Sequence, residues 1–323
     1  MSILSEPYFH GEEAAYKQLE KLVWPSGPVC PHCCNADPQR VYRITGKTAR
    51  MGLRTCAECR EQFRVTVGTI FEHSKVPLHK WFQAAHLMAS SKKGFSAHQL
   101  HRVLKVTYKT AWFMAHRLRE AMREGELAPL GGNGRIVEAD ETYYGKQKVM
   151  PVSKHRRGRP FTKRGHFRNN RSIVALVERG GRVRSFHVEQ ANKETINTIV
   201  AENVERETRL FTDESRLYND ARDLVTDHRR VKHARGEYVR YEADAPVHTN
   251  SAENVFSVFK RGMRGIYQHC SERHLHRYLA EYDFRYNRRA ALGIEDAERT
   301  NAVMAAIVGR RLTYRDSSGV VAV

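Results

Sequence analysis

At 323 residues, with 41% hydrophobic and 28% charged side chains, the chain is long enough for two or three domains and too ordinary in composition for a disordered protein. Its 55 Lys and Arg against 36 Asp and Glu leave a net charge of +19, which favours a polyanionic partner because each neutralised phosphate releases counterions. Met1 to Tyr16 is acidic and has no apolar core, so no signal peptide is expected, and runs such as Ile173 to Val177 are too short to cross a bilayer. A membrane protein is thereby set aside, and a reducing, cytoplasmic location is expected, where clustered cysteines bind metal more often than they pair.

Residues 1–28 carry a short amphipathic helix, with Ala15, Leu19, Leu22 and Val23 at helical spacing, ended by Pro25 and Gly27. Residues 29–75 hold five of the six cysteines. Cys30 and Cys33 form one CxxC knuckle and Cys56 and Cys59 another, 22 residues further on. Two such turns close a tetrahedral thiolate site, so a structural Zn²⁺ is expected on these four, with strand-like flanks at Arg40 to Thr45 and Gln62 to Val67. Cys34 stands beside Cys33 as a rival ligand and His32 is a second. Cys33 keeps the two-residue spacing and is preferred.

Residues 76–130 are helical. Ser96 to Leu104 reads as a helix with Ser96 as N-cap, Val106 to Tyr108 as a turn, and Lys109 to Met122 as a second, basic helix. That order fits a helix-turn-helix with Lys109, Arg117 and Arg119 toward DNA. A plain helical hairpin, with Trp112, Phe113, Ala115 and Leu118 as core, is the competing reading. The glycines from Gly131 to Gly134 then mark a linker.

A second domain is expected over 131–310, with a frayed tail at 311–323. Strand-like runs at Arg135 to Tyr144, Arg171 to Glu178 and Arg182 to Glu189 precede a helix at Lys193 to Glu205. A short strand at Thr208 to Thr212 and helices near Asn250 to Arg264 and Glu272 to Arg288 complete a mixed sheet with helices on it. Between the first two strands, residues 146–171 hold ten Lys or Arg and no acid. Arg156, Arg157, Arg159, Lys163 and Arg164 in this block are expected to track DNA phosphates, against the alternative of a merely solvated loop.

Three acidic or amide positions stand out. Asp140 interrupts a strand-like run, where a charge is costly unless it binds metal or meets solvent, and Asp213 ends the apolar Leu210-Phe211 strand. If the two strands are neighbours, these carboxylates converge on one divalent cation. Asn250, Glu253, Ser257 and Lys260 share one face of the following helix. Oxygen from Asn250 or Glu253 would complete a hard site suited to Mg²⁺ or Mn²⁺, with Lys260 reaching a phosphate.

The zinc knuckles, VGTIF from Val67, KTAWFMAHRLREAM from Lys109, VEADETYYG, FTDESRLY and the HTNSAEN to YDFRYNRR block occur in an order that resembles bacterial insertion-sequence transposases over about residues 10–290. The resemblance is to the zinc-ribbon branch of the DDE transposases, whose third catalytic position is often Asn. It implies an α+β multidomain chain: a zinc ribbon and helical region, then an RNase H-like mixed sheet with helices on its faces. It further implies Asp140, Asp213 and Asn250 as the metal-binding trio with Lys260 beside them. Glu253 stays a rival to Asn250. Cys34 stands where the family has Gly.

The expected reaction is nicking at element ends and attack of the freed 3′-hydroxyl on target DNA, with Tyr143 and Tyr144 not acting as nucleophiles. The expected partner is double-stranded DNA, terminal repeats and target alike, near the bacterial nucleoid. The family implies a homo-oligomer of at least two subunits. A metal-dependent nuclease that never joins ends, or a zinc-containing regulator without catalysis, are the rival functions.

Overall fold

The computed structural model describes residues 3–47, 49–125, 127–147 and 170–313. The chain forms two compact units: residues up to Arg123 together with those from Arg288 on, and Glu124–Asn287 between them. Among the described residues no helix is long and apolar enough to cross a membrane.

The first unit opens with α1 (Glu12–Val23), whose buried Ala15, Tyr16 and Leu19 share one helical face. A three-stranded antiparallel ribbon follows, β1 (Val41–Arg43), β2 (Arg54–Cys56) and β3 (Gln62–Phe63), with Val41 opposite Cys56 and Arg54 opposite Phe63. The central helix is α2 (Leu78–Ser90), apolar on most faces, with Trp81, Phe82, Ala85 and Met88 buried. Its Pro77 N-cap has no side-chain acceptor, so the Glu12 carboxylate fills that place from α1, accepting from the Leu78 and His79 amides at 2.9 and 3.3 Å.

Next, α3 (Ala97–Leu104) starts at a capping box between Ser96 and Gln99, and left-handed Lys105 turns the chain into α4 (Tyr108–Met122). The expected helix pair is present, but α4 is mostly buried from Met114 on. Arg117 donates to the Leu312 and Glu72 carbonyls at 3.1 and 3.2 Å and lies over the Phe113 ring, and Arg119 is 2% exposed. Both arginines are thus buried within this unit, whereas the recognition-helix reading has them turned outward toward DNA. Lys109, in the first turn, is exposed. A last helix, α8 (Asp296–Ala305), was not expected; it packs on α1, α2 and α4, with His86 Nδ1 3.0 Å from Thr300 Oγ1. Residues 288–313 thus join this unit rather than the domain expected to run to 310.

The second unit is built on a five-stranded sheet in the order β6-β5-β4-β7-β8. Long β4 (Ile136–Lys146) pairs antiparallel with β5 (Asn170–Glu178), and β5 with β6 (Val183–Val188). On its other side β4 runs parallel to β7 (Arg209–Thr212), and β7 to β8 (Asp227–Arg230). Gly145, at φ +66°, absorbs the register shift between Tyr144 and Lys146. A small antiparallel pair, β9 (Arg240–Tyr241) and β10 (Pro246–Val247), precedes α6 (Asn250–Gly262), which ends in a π-turn over Met263–Tyr267.

Side-chain alternation sends the strands into two apolar layers. Val137, Ala139, Val174 and Leu210 meet Ile196 and Val200 of α5 (Lys193–Asn203). Ile173, Ala175 and Val177 meet α6 through Val255, Phe256 and Phe259, and α7 (Leu275–Asn287) through Leu279 and Tyr282. Three antiparallel strands continued by two parallel ones, helices on both faces, make the RNase H-like core that was expected. Most of the basic block, residues 148–169 with Arg156, Arg157, Arg159, Lys163 and Arg164, lies outside the described residues.

Docking of α7 on β6 runs through Asp283, whose carboxylate accepts from the Ser185 amide and hydroxyl, both at 2.7 Å. Burial pushes this carboxyl up to about 7, with the Glu124 charge adding to it and the Ser185 bonds opposing. A carboxyl whose folded pKa exceeds its ordinary 3.8 binds its proton more tightly when folded, so its stabilisation fades as pH rises from about 4 through 7. Asp283→Asn keeps an acceptor for the Ser185 amide. Its melting temperature is expected above that of the parent at pH 8, with the difference closing toward pH 4. Equal differences at both pH values would refute this.

Candidate active site and metal centre

The two CxxC knuckles meet in the ribbon. Sγ of Cys30 lies 3.6 Å from Cys59 and Sγ of Cys33 3.6 Å from Cys56, and all four ligand atoms fall within 4.8 Å of one another. Thiolates bound to one Zn²⁺ at about 2.3 Å in a tetrahedron stand at about this spacing, so the donor set fits zinc. Each knuckle closes the same way: the residue after its second cysteine takes a left-handed backbone and returns its amide to the first. Cys34, at φ +59°, bonds to the Cys30 carbonyl at 2.9 Å, and Arg60, at φ +63°, to Cys56 at 2.8 Å. That geometry is why glycine suits position 34, and it leaves the Cys34 thiol outside the four. His32 is outside them as well. The Cys56 thiol is held down to about 7, chiefly by its hydrogen bond from the Cys59 backbone.

In the second unit, the register of β4 on β7 pairs Ile136 with Arg209, Val137 with Leu210 and Glu138 with Phe211. Two residues further along the same direction stand Asp140 and, just past the end of β7, Asp213. The Asp140 carboxylate accepts from the Glu141 amide at 2.8 Å, and Asp213 from the Ser215 amide at 2.9 Å. Burial raises both carboxyls. Asp140 is pushed up to about 8, because the charges of Glu141, Asp213 and Glu253 add to its desolvation. Lys260 is lowered by burial and by Arg264, while Asp140 attracts it.

Asp140, Asp213, Glu253 and Lys260 therefore share one electrostatic neighbourhood, drawn from the middle of β4, the end of β7 and α6. Asn250 opens α6 as an exposed residue one turn before Glu253. Glu253 Oε1 has the Thr249 hydroxyl at 3.5 Å and His233 Nε2 at 3.8 Å. Among the described residues, no group of three or more His, Cys, Asp or Glu that includes Asp140 reaches the mutual spacing of the four cysteines.

Glu141, Tyr218, His233 and Glu138 stand here without a role assigned from the sequence. Glu141 points to the α5 face, where fully buried Tyr218 donates to it at 2.8 Å, and burial and Asp213 raise its carboxyl. His233 adjoins Glu253. Glu138, 0% exposed, accepts from Arg179 at 2.6 Å and from the first turn of α6. Alternation along β4 puts Glu138 on the Asp140 face, but nothing local gives its partners, which lie 41 and 113 residues away. Tyr144 donates to the Met263 carbonyl at 3.4 Å and meets Phe259 edge-on, and Tyr143 is half-buried with its phenol raised by burial and then by Glu141 and Asp140.

Against known proteins, residues 129–287 match the ISXO2-like transposase domain and residues 10–62 the transposase zinc-ribbon domain. A protein of transposable element ISH50 from Halobacterium salinarum, described as uncharacterized, is 28% identical over 291 residues, covering 86% of this chain and 91% of the relative. A Mos1 transposase, solved as a paired-end complex with the left transposon end, aligns at 15% identity over 73% of this chain and 81% of its own, with a TM-score of 0.27.

Proposed function

This chain is a transposase of the zinc-ribbon branch of the DDE family, and from that premise we propose that it cuts DNA at the ends of an insertion sequence and joins the freed 3′-hydroxyl to target DNA at the Asp140–Asp213–α6 site. The observation that carries this reading is the parallel register of β4 on β7, which sets Asp140 and Asp213 in line, with the charges of Glu141 and Glu253 beside Asp140. Such an oxygen-rich, over-charged pocket fits a hard divalent cation, Mg²⁺ or Mn²⁺. Asp140, Asp213 and either Asn250 or Glu253 would hold it. When bound, divalent metal activates an attacking hydroxyl and stabilises the leaving oxygen of an in-line phosphodiester exchange.

The chain's own residues do the rest. Lys260, on the α6 face that also carries Asn250 and Glu253, neutralises a phosphate oxygen beside the site. Lys109 and the basic block, Arg156, Arg157, Arg159, Lys163 and Arg164 among it, hold the DNA backbone without reading sequence. Tyr144, bonded to the α6–π-turn backbone, is structural, and no covalent protein–DNA link forms. Two ends must be held together, which calls for at least two subunits on the DNA.

The test is a strand-transfer assay with labelled element-end DNA, target DNA and Mg²⁺. Both a nicked 3′ end and a joined product are expected. Cutting without joining identifies a nuclease, and a trapped phosphotyrosine adduct at Tyr143 or Tyr144 overturns the mechanism.

A further inference from the structure

Asn250 and Glu253 can serve the acidic site only if the first turn of α6 is held at a set distance from β4 and β7. The N-terminal amides of a helix lack partners within it, and Thr249, at the N-cap, supplies no side-chain bond to them. Its hydroxyl faces Glu253 instead, at 3.5 Å. The cap comes from the sheet. Glu138 Oε2 accepts from the Ser251 amide at 2.7 Å and the Ala252 amide at 3.2 Å, and Oε1 from the Ser251 hydroxyl at 3.0 Å.

Arg179 closes the arrangement. Its Nε donates to Glu138 Oε1 at 2.6 Å, its Nη1 to the Pro246 carbonyl at 2.7 Å and its Nη2 to the His248 carbonyl at 3.1 Å. Its guanidinium lies 5.0 Å over the Phe211 ring. His248 Nδ1 is 3.3 Å from both Glu138 Oε1 and the Asn250 amide. The network thus grips each segment of the acidic site next to its ligand: Glu138 two residues before Asp140, Phe211 two before Asp213, and Ser251 one after Asn250. A buried carboxylate is costly unless its lone pairs are filled, and here both oxygens are, at a helix end whose dipole favours negative charge.

We propose that Glu138 and Arg179 are positioning residues that fix the first turn of α6 against β4 and β7, and so set the third ligand position relative to Asp140 and Asp213. The proposal rests on the reading of the acidic site given above. It assigns Glu138 no contact with DNA or metal. Groups that orient metal ligands typically change affinity about 10- to 100-fold when lost.

The experiment measures binding of Mn²⁺ alone to the full-length, zinc-loaded chain by calorimetry, with thermal melting and end cleavage alongside. Glu138→Gln keeps one acceptor but loses the charge facing Arg179. It is expected to weaken Mn²⁺ binding about 10- to 100-fold. The metal concentration for half-maximal cleavage rises by the same factor, and cleavage recovers at saturating Mn²⁺. Ser251→Ala, which removes a single hydroxyl donor, gives a smaller loss in the same direction and carries the test if Glu138→Gln does not fold. Asp140→Ala abolishes the binding. Unchanged Mn²⁺ affinity in Ser251→Ala and in folded Glu138→Gln, with Asp140→Ala inactive in binding, overturns the positioning role alone. Normal Mn²⁺ binding by Asp140→Ala overturns the acidic site itself.

Discussion

Asp213→Ala should lower end cleavage and strand joining together by about 10³-fold or more, while leaving end binding intact. Bound metal supplies several kcal/mol of transition-state stabilisation, and each 1.36 kcal/mol is a tenfold change in rate, so losing roughly 4 kcal/mol gives that factor. The residue stands past the last paired position of β7, in line with Asp140 on β4. Removing it leaves Asp140 without its opposite number. The fold should not suffer, because burial already raises this carboxyl and its ionised form is disfavoured where it sits. Melting temperature is therefore expected to hold or rise. Labelled-end cleavage, joining and gel-shift measurements on one preparation separate the outcomes. Cleavage within tenfold of the parent would remove Asp213 from the site, and parallel loss of DNA binding would mean a folding defect.

The second large effect concerns zinc. Stripping the metal, or Cys56→Ser, should unfold the ribbon while the second unit stays folded. The ribbon's own core is Val41 and Phe63 with two of the cysteines, edged by Trp24, Cys59 and Val67, far too little to hold three short strands. Structural zinc contributes an apparent 10–16 kcal/mol of binding free energy in small zinc-finger peptides, roughly, and here it replaces a core. Without it, the hydrogen bonds of β1, β2 and β3 should exchange freely, while amides of β4 and β5 stay protected. Cys34→Ser should retain about one zinc per chain, as a thiol outside the tetrahedron would. Hydrogen exchange followed by mass spectrometry, with zinc content by elemental analysis, reads both. Loss of zinc from Cys34→Ser, or a protected ribbon after chelation, would contradict this account.

How much of this was legible beforehand varied with the range of the interaction. Four strands of the sheet were visible as apolar runs. The fifth, β8, was not: Asp227-His228-Arg229-Arg230 has no apolar residue, and its Arg229 is held by Asp227, Glu242 and Asp244. A strand at the sheet's edge can be polar, since it needs only one neighbour to satisfy its backbone. The basic α4 was legible as a helix, yet the burial of its arginines was not. A period of 3.6 places a stripe but does not say whether a partner covers it, and here Arg117 bonds to carbonyls of both chain segments of the first unit.

The same division holds for the zinc centre and the acidic site. Sequence by itself determined the zinc centre, because each CxxC turn is local and its two thiolates are set by four consecutive residues. It also determined the order of the acidic motifs and the period-2 face that Asp140 shares with Glu138. Tertiary structure alone decided that β4 and β7 are parallel neighbours, that Glu138 caps a helix 113 residues away, and that α8 returns to the first unit. The physical reason is that spacing encodes what a few bonds of backbone can enforce. Burial, long-range capping and strand order are settled only when distant segments compete for the same surface.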